Sequence, residues 1–141
     1  MLTLPLETAS PVRTTARHNI LIVDDDEATA EILSRRLSRQ GFGTFVAGSG
    51  KLALELARSE KPDCILLDLR LPDVDGFELC QDLVDSQKTS EIPVIIVSGL
   101  ERPDIIRRSR AAGCQYYVRK PYDPNALLTL IRQAIDEARE G

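Results

Sequence analysis

At 141 residues, of which 43% are hydrophobic and 28% charged, the chain has the length for one globular domain with an ordinary core and not for two. Eighteen basic against twenty-two acidic side chains leave a formal net charge of -4 and a pI near 5.1, which argues against a nucleic-acid coat or a membrane-surface role for the whole chain. No apolar run approaches the roughly 20 residues that span a bilayer; the longest, Ile92 to Val97, is interrupted by Pro93. The segment Met1 to Asn19 lacks the basic start, apolar block and small-residue cleavage site of a secretory signal, so a cytoplasmic location is expected. Cys64, Cys80 and Cys114 are odd in number, far apart and form no C-x-x-C pair, which predicts buried free thiols rather than a disulfide framework or a zinc site.

Residues 1–18 carry Pro5, Pro11 and several Thr without periodicity, and read as a tail in front of a domain over 19–139. The aliphatic run Ile20-Leu21-Ile22-Val23 ends in Asp24-Asp25-Asp26, the pattern of a strand buried on both faces. Acids at Asp26 and Glu27, apolar Leu33 and Leu37 four apart, and Gly41 as a stop predict a helix next. Phe42 to Val46 gives a second strand, and Ser49 caps a helix whose Ala53, Leu56 and Ala57 share a face and which ends at Lys61-Pro62. Cys64-Ile65-Leu66-Leu67 again ends in an acid, Asp68, and Pro72, Asp73, Asp75 and Gly76 form a turn before a helix from about Phe77. Pro93 to Val97 leads to Ser98-Gly99 and a helix from about Arg102, with Ile105 and Ile106 inward and Gly113 as its stop. Tyr116-Tyr117-Val118 is a last strand before Lys120-Pro121; Asp123 caps and Pro124 opens a helix lined by Leu127, Leu130, Ile131 and Ala134. Five such β-then-α units with aliphatic strands predict a doubly wound α/β fold: a five-stranded parallel sheet with helices on both faces.

Ligands of open α/β sheets bind beyond the carboxyl ends of the strands. There the sequence puts Asp24 and Asp25, Asp68, Ser98 and Lys120. Carboxylates brought within about 4–6 Å raise one another's pKa unless a cation joins them, and hard oxygen donors suit Mg²⁺. With a metal held by Asp25 and Asp68, helped by Asp24, the Asp68 carboxylate could act as a nucleophile on phosphorus, with Ser98 and Lys120 stabilising the new charge.

At these residues the sequence resembles the receiver domains of two-component response regulators, the CheY-like family, from Asn19 to about Ala138. The motifs that carry it are Ile20-Leu21-Ile22-Val23-Asp24-Asp25-Asp26, Leu66-Leu67-Asp68 through Pro72-Asp73-Val74-Asp75-Gly76, Val97-Ser98-Gly99 and Lys120-Pro121. The resemblance implies that Asp68 accepts phosphate from a sensor histidine kinase or histidine phosphotransfer protein, and that Asp24, Asp25, Asp68 and the Arg70 carbonyl hold Mg²⁺. It also implies that Ser98 and Lys120 contact the phosphoryl group, that Tyr117 is the switch aromatic, and that the Lys120–Pro121 bond is cis. Gly99 stands where alanine is more usual, leaving access to Asp68 open. Arg70 and Leu100 occupy the variable positions that influence phosphoryl lifetime.

Taken singly, Asp24 to Asp26 read as a helix cap, Ser98 as a turn residue, Lys120 as a surface lysine and Tyr117 as a strand aromatic; their joint position at strand ends favours a site. Gly48-Ser49-Gly50-Lys51 lacks the Ser or Thr of a phosphate loop. Arg102, Arg107, Arg108, Arg110 and Arg119 read as a solvated face, and His18, in the tail, has no acid or cysteine near it in sequence. The expected function is a stand-alone, non-enzymatic signalling switch, acting on a downstream protein through the fourth helix, fifth strand and fifth helix, with phosphorylation-dependent homodimerisation as a further outcome and no direct nucleic-acid or membrane binding. Alternatives are a phosphorylation-independent protein-binding scaffold, the receiver fragment of a larger regulator, and a small metal-dependent phosphatase.

Overall fold

Aliphatic strands with no polar face can be satisfied only between two layers of helix, and the computed structural model has that arrangement. It describes residues 17–101 and 103–140. The elements alternate as β1 (Asn19–Val23), α1 (Glu27–Arg39), β2 (Gly43–Ala47), α2 (Gly50–Glu60), β3 (Cys64–Leu67), α3 (Gly76–Asp85), β4 (Val94–Ser98), α4 (Ile105–Ala111), β5 (Tyr116–Arg119) and α5 (Pro124–Glu140). All strand pairings are parallel, in the order β2-β1-β3-β4-β5. The chain order reverses beside β1, so β1 and β3 are neighbours whose C-terminal ends open on a switch-point crevice.

The pleat divides the core in two. Leu21, Val23, Ile65, Leu67, Val94 and Ile96 pack with α2, α3 and α4. Their alternates Ile20, Ile22, Leu66, Ile95 and Val97 pack with Ala30, Leu33 and Leu37 of α1 and with Leu127, Leu128, Ile131, Ala134 and Ile135 of α5. Leu130 is only partly buried against the second layer.

Local chemistry sets the helix ends. Asp26, Ser49 and Asp75 each cap a helix by accepting from a backbone amide in its first turn, of Thr29, Leu52 and Phe77 respectively. Gly41 and Gly113, at φ 95° and 94°, end α1 and α4 in the left-handed region where glycine is unstrained. Asp123 accepts from the Asn125 amide at 3.1 Å at the start of α5.

Three expectations are corrected. The fourth helix begins at Ile105 rather than near Arg102, Arg102 itself lying outside the described residues. Pro103 and Asp104 form a turn, and Asp104 makes no side-chain cap. Ile106 faces outward, 52% exposed, because the inward stripe runs through Ile105, Ser109 and Ala112. Buried Ser109 fits that stripe by donating its hydroxyl to the Ile105 carbonyl at 2.7 Å. Finally, only Cys64 is a free buried thiol; Cys80 on α3 and Cys114 in the α4–β5 turn form a disulfide across 34 residues of sequence, with Cα atoms 6.8 Å apart. Folding brings α3 and that turn together in a way their spacing does not signal. Among the described residues no helix is long and apolar enough to cross a membrane.

Gly76 opens α3 under the segment that follows β3. A methyl group there would stand 2.6 Å from Leu69 Cα and 2.8 Å from its carbonyl oxygen, main-chain atoms that cannot swing aside. Gly76→Ala is expected to cost about 1–3 kcal/mol, read as a lower urea midpoint. A Gly99→Ala control, whose new carbon would meet Lys120 Cβ at 3.8 Å, should leave that midpoint unchanged.

Candidate functional site

Parallel strands end on one rim, so residues just after β1, β3 and β5 meet although far apart in sequence. Their backbones are tied directly: the Asp68 amide donates to the Val23 carbonyl at 2.9 Å and the Lys120 amide to the Ser98 carbonyl at 2.8 Å. The Lys120 ammonium consequently reaches both acids, at 3.0 Å from Asp68 Oδ2 and 3.5 Å from Asp24 Oδ2. The Lys120–Pro121 bond just after it is cis, as the family resemblance implies.

Each carboxylate keeps a second anchor. Asp24 Oδ1 accepts from the Asp26 amide at 2.9 Å, and Asp68 Oδ1 from the Arg70 amide at 2.9 Å. The ammonium therefore lies on one oxygen of each acid and a backbone N–H on the other, which aims both groups into the crevice. Burial pushes the Asp24 carboxyl up, with the Asp68 charge adding to it, against the opposing pull of the Asp26 amide and Lys120. Burial also works against the Lys120 ammonium, but the hydrogen bond to Asp68 and the charges of Asp68 and Asp24 outweigh it and hold its pKa above the ordinary lysine value. The Tyr122 phenol beside them is raised by burial, against the Lys120 charge.

The other expected residues surround this trio. Asp25 is exposed, next to Asp24 on the rim. Ser98 is fully buried at the tip of β4, its Oγ accepting from the Leu100 amide at 3.0 Å. Exposed Gly99 leaves room beside the Lys120 side chain. Tyr117 is half-buried on β5 and packs with Leu100, Ile105 and Ile106 around a groove. Two acids against one ammonium leave surplus negative charge on hard oxygen atoms, a donor set that fits Mg²⁺. Asp25 does not close a tight shell with them: among the described residues, no group of three or more His, Cys, Asp or Glu is gathered as a ready metal cluster.

A family model for the response regulator receiver domain matches residues 20–132. The chain belongs to that family. It is 32% identical over 120 residues to the polar-differentiation response regulator DivK of Brucella ovis, covering 85% of this chain and 98% of DivK. It is 36% identical over 118 residues to the DNA-binding response regulator MtrA of Mycolicibacterium smegmatis, covering 84% of this chain. The receiver spans only half of MtrA's length. Among solved structures, a CheY-like receiver domain protein from Methanospirillum hungatei superposes with a TM-score of 0.82 at 30% identity, covering 89% of this chain and 99% of that one. The CheY-like architecture of the receiver is thus found in solved relatives, and two-component signalling is its setting.

Two contacts near this rim and one on the opposite rim carry no signal in the sequence. Asp73, in the β3–α3 loop, accepts from the Gly50 amide at 2.8 Å and the Lys51 amide at 3.0 Å, capping α2 from a distance. Arg108 of α4 lies 4.4 Å over the Phe77 ring and 4.0 Å from Asp75 Oδ2, linking α4 to the start of α3. On the opposite rim His18 is not isolated: its Nδ1 stands 3.7 Å from Asp63 Oδ2, which also accepts from the Asn19 amide at 2.7 Å. Asp73 and Asp75 read only as turn residues and Asp63 carries no motif, because each partner lies in another βα unit.

The Gly50 and Lys51 amides hold the Asp73 carboxyl below its ordinary value of 3.8. A depressed carboxylate contributes stability that is present above the unfolded pKa and lost as pH falls through the lower folded one. Acidification below about pH 4 should therefore release this strap. The melting temperature of Asp73→Ala is expected to fall less steeply than wild type over that acid range, and equal slopes would show that the strap carries no pH dependence.

Proposed function

We propose that Asp68 is a phosphoacceptor and that the chain works as a phosphorylation-dependent switch of partner binding. The observation that supports this best is the Lys120 ammonium at 3.0 Å from Asp68 Oδ2. That cation stands where the oxygens of an incoming phosphoryl group would need neutralising. Asp24, Asp25, Asp68 and the Arg70 carbonyl are the groups that would hold Mg²⁺. When bound, the ion would supply further charge neutralisation at the phosphoryl oxygens.

The Arg70 amide holds Asp68 Oδ1 and Lys120 holds Oδ2, so the carboxylate is oriented before a donor arrives. Attack of a carboxylate oxygen on phosphorus forms an acyl phosphate as the bond to the donor's imidazole nitrogen breaks and the electron pair stays with that nitrogen. Lys120 remains paired with the product, and the Ser98 hydroxyl can turn from the Leu100 amide to a phosphoryl oxygen. Phosphorylation adds close to two negative charges. That charge draws Ser98 and the β4–α4 segment inward, and Tyr117 with them, altering the α4–β5–α5 surface. The donor is then a sensor histidine kinase or histidine phosphotransfer protein, and the recipient a protein docking on that surface, in the cytoplasm.

Incubation with acetyl phosphate and Mg²⁺ is expected to add one phosphoryl group by intact mass. The group should be absent from Asp68→Asn and from wild type treated with a chelator. Retention of the label in Asp68→Asn would overturn the assignment. Failure of wild type to label would favour a phosphorylation-independent scaffold, and steady turnover of phosphomonoesters a phosphatase.

A further inference from the structure

The Cys80–Cys114 bridge has no part in the chemistry at Asp68, yet it joins the same two pieces of the chain. At the rim, Lys120 after β5 is fastened to Asp68 before α3. Below it, Cys114 before β5 is fastened to Cys80 within α3. The β5 strand, with Tyr117 on it, thus runs between two attachments to one unit.

The turn that bears Cys114 is itself closely fitted. The Cys114 amide donates to the Ser109 carbonyl at 2.9 Å and the Gly113 amide to the Arg110 carbonyl at 3.0 Å. A methyl on Gly113 would meet both Val84 γ carbons at 3.0 Å, so the turn lies directly on α3, one helical turn beyond Cys80. Cys114 is 3% exposed and Cys80 fully buried. Outside them lies a cleft of about 320 Å³ lined by Val84, Gly113, Gln115 and Tyr116. Neither cysteine lines that cleft, so a small thiol reagent entering there meets the turn and reaches the bridge only when the turn lifts locally.

We propose that Cys80 and Cys114 form a reversible thiol–disulfide couple, exchanging with low-molecular-weight disulfides such as glutathione disulfide, whose oxidised state pins the α4–β5 turn and restrains β5. In the oxidising direction the Cys114 thiolate attacks glutathione disulfide, forming a mixed disulfide and releasing one glutathione thiolate. The Cys80 thiolate then attacks the Cys114 sulfur and releases the second glutathione. The two cysteines give up two protons and two electrons, and one glutathione disulfide becomes two glutathiones. Cys64 takes no part, because it packs in the opposite layer of the core from Cys80 and Cys114.

The test equilibrates the full chain in buffers of graded glutathione ratio, then unfolds and alkylates it for intact mass. Of the three cysteines, one should be alkylated at the oxidising end and all three at the reducing end, with Cys80 and Cys114 converting together. Amide exchange over the 112–119 segment should be faster in the reduced protein by on the order of tenfold. Cys114→Ser should exchange at the reduced rate in every buffer; if that variant does not fold, Cys80→Ala serves in its place. Three alkylated cysteines at every ratio, or a bridge that opens only in denaturant, would overturn the couple. Equal exchange in both states would overturn its action on β5. None of these readouts involves Asp68, so a failure to phosphorylate and a failure of the couple are distinguishable.

Discussion

An ammonium shared between two carboxylates is the interaction on which this receiver's rim depends. Without Lys120, Asp24 and Asp68 would face each other across the β1–β3 crevice with only backbone amides for compensation. With it, both are oriented, the ammonium on Oδ2 of each and a backbone amide on Oδ1. The contact exists because three strands stop at one level, and they stop there because their aliphatic stretches fill two layers of core on either side of the sheet. Hydrophobic register therefore sets an electrostatic distance, and the position of the carboxylates is inherited from packing far beneath them.

Most of that hierarchy is legible in the amino-acid order. Runs such as Ile20–Val23 and Cys64–Leu67 cannot be mistaken for amphipathic helix when each closes on an acid and a turn. The rule that parallel sheets bind at their carboxyl ends then selects the residues that follow. What stays hidden involves partners from separate βα units. Asp73 reads as a turn acid because the amides it holds lie 23 and 22 residues earlier. Cys80 and Cys114 have no motif to announce them. Ile106 looks apolar and inward because the true inward stripe of α4 passes through a serine, whose hydroxyl is satisfied within its own helix.

The α4 helix has the weakest local support of the five. It has seven residues and no side-chain cap, too little to persist by propensity alone. Its place is kept by Ile105 in the core, by Arg108 on Phe77 and Asp75, and by the turn that follows it. An element held chiefly by tertiary contacts is one that can be repositioned without unfolding the rest. Its exposed Ile106 and the neighbouring Tyr117 groove would be repositioned with it.

The strap from Asp73 to the first amides of α2 has a different consequence, for how this loop can change over evolutionary time. Both carboxylate oxygens are engaged, so the stretch between Leu69 and Gly76 behaves as a spacer cut to a set length. A single inserted or deleted residue would detach that end, and the slack would be passed back along the chain to the acid at its other end. Side chains within the stretch can drift, whereas its residue count is constrained.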